Sequence, residues 1–399
     1  MSDTIQREMQ FGSHNYHPLP VVLVKGEGAL VWDENGKEYI DMMSAYSAVS
    51  HGHQHPKIVQ ALETQLARLA IVSRSYYTDV LADFLQYACE LLSYDKALPM
   101  NTGAEAVETA LKLARKWGYQ VKQVPSDQAE IIACRNNFHG RTIAIVGMST
   151  EPQYREDFGP FPAGFKIIPY GDINALEKAI TPNTVAFIVE PIQGEAGILV
   201  PPAGYLKQCA ELCQRHRVLL IADEIQSGLG RTGKRLACDH ENIHPDILVL
   251  GKALGGGVLP VSLVLANDPV MSVLRPGDHG STFGGYALAA AVGLAALKTL
   301  EEEGLAERAA VLGERLMKGL KTISHPAIKD IRGKGLMIGI ELDPAILEGR
   351  TVALKLLEQG ILTKETHQVV IRLAPPLVIS EALIDKAIEI IRRVFSELK

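Results

Sequence analysis

Short, uninterrupted apolar runs recur through the middle of the chain, and stretches with helical spacing separate them. The runs lie at 131–134, 185–189, 218–222 and 247–250. Apolar runs of this kind are typical of strands that are buried on both faces, as in a mostly parallel sheet covered by helices. The pattern therefore predicts an α/β core in which strands and helices alternate.

The pattern changes after the acidic segment Glu301-Glu302-Glu303. The elements predicted beyond it are a helix near 305–322, a strand at 336–342, a helix near 351–359, a strand at 369–373 and an amphipathic helix at 381–398. We interpret this region as a smaller α+β domain packed behind the first.

Two short apolar segments near the start of the chain flank the turn Asp33-Glu34-Asn35-Gly36, which predicts a hairpin. Changes in pattern are the only guide to the boundaries, since no repeat or low-complexity linker interrupts the sequence. We predict an arm and hairpin at 1–45 that joins the small domain, a large domain at 46–300 and a small domain at 301–399.

The composition narrows the classes of function. The chain has 399 residues, of which 47% are hydrophobic and 22% charged, enough for about two domains with cores of their own. A formal charge of -6 provides no overall attraction to nucleic acid or to an acidic membrane. We therefore expect small molecules as partners, and neither nucleic acid nor a membrane.

Two further features bear on the compartment. The first four residues lack the order of a signal peptide, and the longest apolar run, 286–297, is too short to span a bilayer. The five cysteines are odd in number and show no CxxC spacing, so they indicate neither a disulfide framework nor a zinc ribbon. We expect a cytoplasmic protein with reduced cysteines.

Reactive side chains follow two of the apolar runs. Asp223 ends the run at 218–222, and Lys252 follows the run at 247–250 after one glycine. Ligands of α/β sheets lie beyond the carboxyl ends of the strands. Taken alone, Asp223 could cap a helix, and Lys252 could extend its amine to solvent. A partly desolvated lysine, however, is what a Schiff-base lysine needs.

The pair carries more information than either member. Pyridoxal phosphate needs an acid that keeps its pyridine nitrogen protonated and a lysine that holds its aldehyde. Asp223 and Lys252 together therefore predict this cofactor, with Lys252 also moving a proton between carbon atoms. Gln226 could hydrogen-bond the phenolic oxygen of the ring.

The phosphate of the cofactor also needs a site. The segment from Asn101 to Glu105 opens a predicted helix, whose free amides and dipole attract an anion, and Gly103 allows close approach. Thr102 and Glu105 equally fit a capping box that needs no ligand. Further candidates are the hydroxyls of Ser281 and Thr282, the aromatic face of Phe138 with His139 beside it, and the guanidinium of Arg141. Each of these could instead belong to a plain turn or a helix start.

Two other patterns resemble ligand sites. The segment from Gly228 to Lys234 fits GxxxxGK, but Arg235 stands where a phosphate-binding loop has Ser or Thr, and no strand leads directly into it. The alternating residues His51, His53 and His55 could share one strand face as metal ligands. They lie, however, in a segment that contains Gly and Pro and has no nearby carboxylate in the sequence. We predict neither nucleotide hydrolysis nor a metal site.

In this order the motifs resemble those of the class III aminotransferases among the fold-type I pyridoxal-phosphate enzymes, from about Tyr16 to Leu377. The chain is most similar to members of that family that act on ornithine. The matching stretches are Tyr16-His17-Pro18-Leu19-Pro20, Tyr46-Ser47-Ala48-Val49, Asn101-Thr102-Gly103-Ala104-Glu105-Ala106, Phe138-His139-Gly140-Arg141-Thr142, Glu190-Pro191-Ile192-Gln193-Gly194-Glu195, Ala222-Asp223-Glu224-Ile225-Gln226 and Arg372-Leu373-Ala374-Pro375-Pro376.

The resemblance implies roles for single residues. Lys252 would bind the cofactor covalently, Asp223 its ring nitrogen, and Gly103 with Ala104 its phosphate. Phe138 would stack on the ring. Thr282 would reach the phosphate from a neighbouring subunit, so the family implies at least a homodimer.

The resemblance also implies a ping-pong reaction between L-ornithine and a 2-oxo acid, preferably 2-oxoglutarate. Arg372 would bind the α-carboxylate of 2-oxoglutarate, and Arg141 its far carboxylate. With ornithine, Glu195 would mask Arg372, so that the α-carboxylate goes to Arg141 and the α-amine to Tyr16. Tyr16 and Tyr46 would favour ornithine over the alternative donors N-acetylornithine, succinylornithine and 4-aminobutyrate.

A remote alternative is a non-catalytic sensor that binds pyridoxal phosphate, although no basic helix-turn-helix segment precedes Tyr16. One departure from the family is visible after Phe283-Gly284-Gly285. Tyr286-Ala287-Leu288 follows there, where the family usually has Asn-Pro-Leu. The departure concerns the loop that follows the phosphate-binding hydroxyls.

Overall fold

The computed structural model describes residues 2–398. In chain order the strands are β1 Leu23–Glu27, β2 Leu30–Asp33, β3 Glu38–Asp41, β4 Lys96–Met100, β5 Glu130–Cys134, β6 Phe165–Ile168, β7 Thr184–Val189, β8 Leu219–Asp223, β9 Ile247–Leu250, β10 Ser262–Ala266, β11 Ile328–Lys334, β12 Met337–Leu342, β13 Ile361–Leu362, β14 Glu365–Thr366 and β15 Val370–Leu373.

The α-helices are α1 Asp3–Phe11, α2 Ser44–Ser47, α3 Pro56–Arg68, α4 Asp79–Leu92, α5 Gly103–Trp117, α6 Ile143–Gly147, α7 Pro152–Arg155, α8 Ile173–Ala179, α9 Tyr205–Arg215, α10 Asp268–Met271, α11 Ala287–Glu302, α12 Leu305–Lys321, α13 Gly349–Glu358 and α14 Glu381–Glu397. A π-helical turn at Gly118–Lys122 extends α5, and 3₁₀ turns occupy Ala237–His240 and Lys252–Gly255.

A seven-stranded sheet forms the centre, in the order β4-β10-β9-β8-β7-β5-β6. The four predicted runs are β5, β7, β8 and β9, which pair in parallel, whereas β10 is antiparallel to β4 and β9. The predicted mostly parallel sheet is confirmed. Because β8 and β9 are neighbours, the residues that follow them emerge at one edge of the sheet.

Both faces of this sheet are covered, as continuous apolar runs require. Ile131 and Ala133 on β5 face the core that includes α5, whereas Ile132 and Cys134 face the core that includes α9. The two-residue period of the strand therefore fills two separate cores.

Two smaller sheets complete the fold. Strands β11, β12, β15 and β14 form an antiparallel sheet, and helices α12 and α14 pack against each other behind it. The N-terminal sheet has the order β1-β2-β3-β13 and contains the predicted hairpin, β2 with β3. Its fourth strand comes from near the other end of the chain, since β13 pairs in parallel with β3.

We propose that these sheets mark the arm, large and small domains at 1–45, 46–300 and 301–399. Met1 and Lys399, which begin and end those ranges, lie outside the described residues. The arm contains a helix, α1, that the sequence pattern did not predict, and none of its residues is buried. Among the described residues, no helix is long and apolar enough to cross a membrane.

Candidate active site

Lys252 and Asp223 lie at the carboxyl edge of the central sheet. Asp223 is the last residue of β8 and pairs with Val249 of β9, three residues before Lys252. Lys252 has a φ of +44°, a left-handed conformation that is uncommon outside glycine. Burial lowers the pKa of Lys252, although the carboxylates of Glu195 and Asp223 oppose that shift.

A histidine shares the carboxylate of Asp223. The Nδ1 of His139 lies 2.6 Å from Oδ2 of Asp223, and Oδ1 accepts the backbone N–H of Ile225 at 3.1 Å. Burial alone would lower the pKa of His139, but the hydrogen bond and the charge of Asp223 raise it. Asp223 is thus held in one orientation. The residues after it form a turn, which excludes the helix-cap alternative for this residue.

A second buried acid, Glu190, begins one of the stretches that match the family, but the sequence pattern predicted no role for it. It follows β7 directly, and one of its carboxylate oxygens accepts the backbone N–H of Phe138 at 2.9 Å. Burial raises the pKa of Glu190 to about 7. The rule that selected Asp223, a polar residue at the end of a buried strand, also applies to Glu190.

These groups line a cavity of about 190 Å³. Its walls include the residues Gly103, Ala104, Phe138, His139, Glu190, Asp223, Gln226 and Lys252. Gly194 borders Gln226 so closely that an added Cβ would lie 1.6 Å from the Gln226 Oε1, so a side chain at 194 would displace the Gln226 amide. The strand ends and the start of α5 thus meet around one small space.

The start of α5 serves two purposes. Thr102 and Glu105 form both halves of a capping box, so the capping alternative is correct for the Thr102 side chain. The next two amides, of Gly103 and Ala104, belong to the first helical turn, where N–H groups have no acceptor within the helix. They face the cavity and can bind an anion.

The second hydroxyl pair lies elsewhere. Ser281 accepts a hydrogen bond from the side-chain amide of Asn101 at 2.9 Å, and Thr282 is exposed. Neither residue is among those that line the cavity. Within one chain, Ser281 therefore lies beside Asn101, just before α5, but neither hydroxyl-bearing residue lines the cavity.

A second cavity, of about 770 Å³, adjoins the first. It collects all five residues to which the resemblance gives a role in substrate binding, namely Tyr16, Tyr46, Arg141, Glu195 and Arg372. The side-chain amide of Gln226 lies 3.4 Å from Oε1 of Glu195, which links the two cavities.

The Arg372 guanidinium pairs with Glu195 at 2.6 Å and lies 4.9 Å from the centre of the Tyr46 ring. Only 5% of Arg372 is exposed. Burial would raise the pKa of Glu195, but Arg372 and Lys252 lower it, so this carboxylate is ionised and the pair is charged. Burial raises the pKa of Tyr46, which keeps that phenol neutral.

Arg141 lies across the cavity from this pair, and an aromatic residue that the sequence did not single out supports it. The Arg141 guanidinium is 4.2 Å from the centre of the Tyr154 ring and 5.9 Å from that of Phe138. Tyr154 also meets Phe138 edge to face, at 6.0 Å. Tyr16 is 68% exposed at the mouth of the cavity.

Tyr46 belongs to a left-handed turn. Four consecutive residues, Ser44, Ala45, Tyr46 and Ser47, have φ values of 42°, 46°, 60° and 75°. None is glycine, so each carries a steric cost of roughly 1–2 kcal/mol that its surroundings must offset. The helical label of α2 therefore describes a turn of the opposite hand, which sequence patterns do not reveal.

The two patterns that were set aside form no ligand site in the described residues. His51 contacts the Ala296 carbonyl, His53 the Asp41 carboxylate and His55 the Glu303 carboxylate, so the three rings diverge. Two of the three therefore have carboxylate partners that the sequence did not suggest. The GxxxxGK segment is largely buried, with Gly230 packed against Leu300 and Gly233 against Ala310.

Comparison with known proteins adds the family. The model of the class-III aminotransferases matches residues 11–395. The chain is a class-III aminotransferase. A curated relative from Geobacillus sp. (strain WCH70), an ornithine aminotransferase, is 56% identical over 99% of this chain and 98% of its own.

Two solved structures extend this comparison of the class-III aminotransferase. The ornithine aminotransferase of Toxoplasma gondii ME49 is 48% identical with a TM-score of 0.98, over 99% of this chain and 94% of its own. An acetylornithine aminotransferase from Elizabethkingia anophelis is 49% identical with a TM-score of 0.90, over 99% and 98%.

The first cavity of this class-III aminotransferase fits pyridoxal phosphate. It contains a partly desolvated lysine, a buried carboxylate held by a histidine, an aromatic ring and two amides at a helix start. These are the groups needed for the aldehyde, the pyridine nitrogen, the ring face and the phosphate.

At the departure from the family pattern, Tyr286 stands at the N-cap of α11 without a side-chain hydrogen bond to the helix. Its ring instead packs edge to face on Phe283, at 5.3 Å between centres. Aromatic packing therefore replaces a polar cap in this loop.

Proposed function

We propose that the chain transfers the δ-amino group of L-ornithine to a 2-oxo acid, preferably 2-oxoglutarate, and releases glutamate 5-semialdehyde and glutamate. One observation carries the proposal: the buried pair of Arg372 and Glu195, 2.6 Å apart, with the ring of Tyr46 against the guanidinium. A site that only bound α-carboxylates would need no acid on that arginine.

Pyridoxal phosphate, when bound, supplies an aldehyde that accepts the amino group and a ring that takes up electrons. Lys252 would hold it covalently, Gly103 and Ala104 would donate to its phosphate, and Asp223 would keep its ring nitrogen protonated. Phe138 would cover the ring, because the Glu190 carboxylate fixes the backbone of Phe138. Gln226 lies between this site and Glu195.

The chain's own residues then do two things. The Nζ of Lys252 removes a proton from the terminal carbon of the donor, and burial, which lowers the pKa of this amine, favours the unprotonated form that the step needs. Glu195 holds Arg372 neutralised while ornithine is bound, so the α-carboxylate of ornithine goes to Arg141 and its α-amine to Tyr16. When 2-oxoglutarate enters, its α-carboxylate displaces Glu195 from Arg372.

We also propose that the enzyme is a homodimer or a higher homo-oligomer with shared active sites. Thr282 is exposed and is not among the residues that line the cavity of its own chain, and Phe283 beside it is 50% exposed. A second copy would cover this apolar side chain and bring Thr282 to a phosphate site. Sedimentation of the loaded protein would test this, and a monomer with full activity would contradict it.

Donor specificity can be tested in a half-reaction. The loaded protein is mixed without any oxo acid with L-ornithine, N-acetylornithine or 4-aminobutyrate, and the visible band of the cofactor is followed while o-aminobenzaldehyde traps the cyclised semialdehyde. We expect L-ornithine alone to bleach the band and to give the trapped product. A faster reaction with either other amine would refute the proposed donor while leaving the transfer chemistry intact.

A second candidate is transfer from N-acetylornithine. This candidate is favoured by the 49% identity to an acetylornithine aminotransferase, which is close to the 48% identity to an ornithine aminotransferase. An acylated α-amine carries no charge, so it would not depend on the hydroxyl of Tyr16. Tyr16→Phe should therefore raise the KM for L-ornithine and leave that for N-acetylornithine unchanged.

A further inference from the structure

The GxxxxGK segment, residues 228–234, has no place in the function proposed above. It packs between the domains, and its glycines permit close contact. A Cβ on Gly230 would lie 2.9 Å from Leu300, and one on Gly233 would lie 3.0 Å from Ala310. The small domain supplies a glycine of its own, because a Cβ on Gly335 would lie 2.4 Å from the Thr232 carbonyl carbon. The segment therefore has no open face for a phosphate.

At its centre lies Arg231, the largest fully buried side chain in the described residues, with 0% exposure. Its guanidinium donates to the carbonyls of Leu336 at 2.9 Å and Pro375 at 2.6 Å. It also donates to the hydroxyls of Ser44 at 3.1 Å and Ser50 at 2.9 Å. All four acceptors are neutral oxygens. Burying a cation in this way is costly, so the residue needs an explanation beyond packing.

The acceptors of Arg231 lie on the segments that carry the donor-binding residues. Ser44 begins the left-handed turn of Tyr46, and the Ser50 hydroxyl donates to the carbonyl of Ser47 at its end, at 2.9 Å. Pro375 follows Arg372 by three residues in the chain. Arg231 therefore contacts both ends of the segment 44–50, which contains Tyr46. It also contacts Pro375, on the segment that continues from Arg372.

Two hydrogen bonds also join the segment of Tyr46 directly to the segment that follows Arg372. The Ser44 hydroxyl donates to the carbonyl of Ala374 at 2.6 Å, and the amide of Ala374 donates to the carbonyl of Met42 at 2.7 Å. Left-handed residues persist only where surrounding contacts hold them. The guanidinium and the two hydroxyls are contacts of that kind, and they fix the turn relative to the strand end at Arg372.

We propose that Arg231 is a positioning residue that sets the distance between Tyr46 and Arg372, and through it the selection of the donor and acceptor carboxylates. This deepens the proposed function and rests on it for the identity of the donor. Arg231 itself lies outside both cavities. Its planar group with several fixed N–H directions suits four acceptors, whereas an ammonium group does not.

The main test replaces Arg231 by lysine, which keeps the charge and loses the geometry. We expect the KM values for L-ornithine and for 2-oxoglutarate to rise about tenfold with kcat within about threefold, since Lys252 and Asp223 are untouched. The dissociation constant for glutarate, an unreactive dicarboxylate, should rise likewise in calorimetry. The visible band of the bound cofactor should not move.

The matched control is Arg308→Lys. Arg308 also donates to backbone carbonyls, those of Leu377, Val378 and Ile379, at 3.0, 3.3 and 2.6 Å, but it touches neither the turn nor the Arg372 strand. Both variants should lower the melting temperature. If both raise KM equally, or if neither does, Arg231 is structural and the proposal fails.

Ser44→Ala keeps the proposal open to refutation if Arg231→Lys does not fold. Loss of this one hydroxyl should raise both KM values about threefold and leave the melting temperature within a few degrees; unchanged KM values would count against the proposal. The measurements with 2-oxoglutarate and glutarate also distinguish failure of this proposal from failure of the proposed donor. If the wild-type enzyme prefers N-acetylornithine, the proposed donor is wrong, yet the response of 2-oxoglutarate and glutarate to Arg231→Lys still decides the positioning role.

Discussion

The two cavities are built in different ways. The one that fits the cofactor lies at the edge of a single sheet, and most of its groups follow β7, β8 and β9 or begin α5. The one that fits the donor is assembled from the arm, a left-handed turn, a loop of the large domain and the end of β15. The first depends on neighbouring strands within one sheet, whereas the second depends on how segments from separate sheets meet.

This difference separates the residues proposed for the transfer reaction from those proposed to select the donor and acceptor. Changes at the sheet edge should affect turnover with any amino donor. Changes in the second cavity should redistribute activity among donors and acceptors while leaving the proton-transfer machinery intact. The following variants test that division, beginning with the largest expected effect.

Lys252→Ala should reduce turnover with every donor by about 10⁴-fold, because in the proposed function Lys252 holds the cofactor and moves the proton. Steady-state assays with L-ornithine and circular dichroism would measure activity and folding. The control is Lys122→Ala, since burial also lowers the pKa of Lys122, which donates to backbone carbonyls far from the site. Near-normal turnover in Lys252→Ala would overturn the assignment.

Asp223→Asn should reduce turnover about 10²–10³-fold, because an amide cannot supply the negative charge that the His139 ring and a pyridinium nitrogen require. The visible band of the cofactor should shift as well. Glu224→Gln serves as the control, since the adjacent carboxylate accepts N–H bonds from Ala237 and Cys238 instead. A larger loss of turnover in that variant than in Asp223→Asn would contradict the prediction.

Glu195→Gln should alter selection more than chemistry. Without its charged partner, Arg372 is free for any α-carboxylate, so L-glutamate should gain on L-ornithine by about 10–100-fold in the ratio of kcat/KM values. Half-reactions with the two donors would measure the ratio. Glu365→Gln is the control, because Glu365 lines the same cavity but pairs with Arg350 at 3.7 Å. An unchanged ratio in Glu195→Gln would remove the masking role.

Glu190 gives the smallest effect, on stability. Burial raises its pKa to about 7, above that of an unfolded chain, so its contribution to folding is fully present below about pH 4.5 and is lost as pH rises through 7. Glutamine resembles the protonated acid. Glu190→Gln should therefore match the wild-type melting temperature near pH 4.5 and exceed it by a few degrees at pH 8. A difference that does not vary with pH would show that this carboxyl does not titrate in that range.

Much of the sheet edge could be predicted from sequence. Asp223 and Lys252 follow two apolar runs, the second after one glycine. Parallel strands bring their carboxyl ends to one edge, so local patterns suffice to place the two residues together. Glu190 obeys the same rule. The hydrogen bond between His139 and Asp223 could not be predicted, because it depends on the path of a loop between distant strands.

The donor cavity could not be derived in this way. Arg372 and Tyr46 meet because the left-handed turn after β3 packs against the end of β15, and no local period records that contact. A resemblance to known enzymes supplied those residues. Arg231 is the clearest case of misleading local sequence, since glycines that serve domain packing resemble those of a phosphate-binding loop.

The pairing of β13 with β3 also governs the order in which the protein matures. Ile40 and Asp41 receive their partners, Ile361 and Leu362, only when the ribosome has made nine-tenths of the chain. At ordinary translation speeds, that leaves the edge of β3 unpaired for roughly 15–60 seconds in the nascent chain. Asp41 in turn anchors the amides of Met43 and Ser44, which begin the Tyr46 turn. Donor selection is therefore among the last properties that a newly made molecule acquires. Until β13 is synthesised, the unpaired edge of β3 is a surface for chaperones to protect.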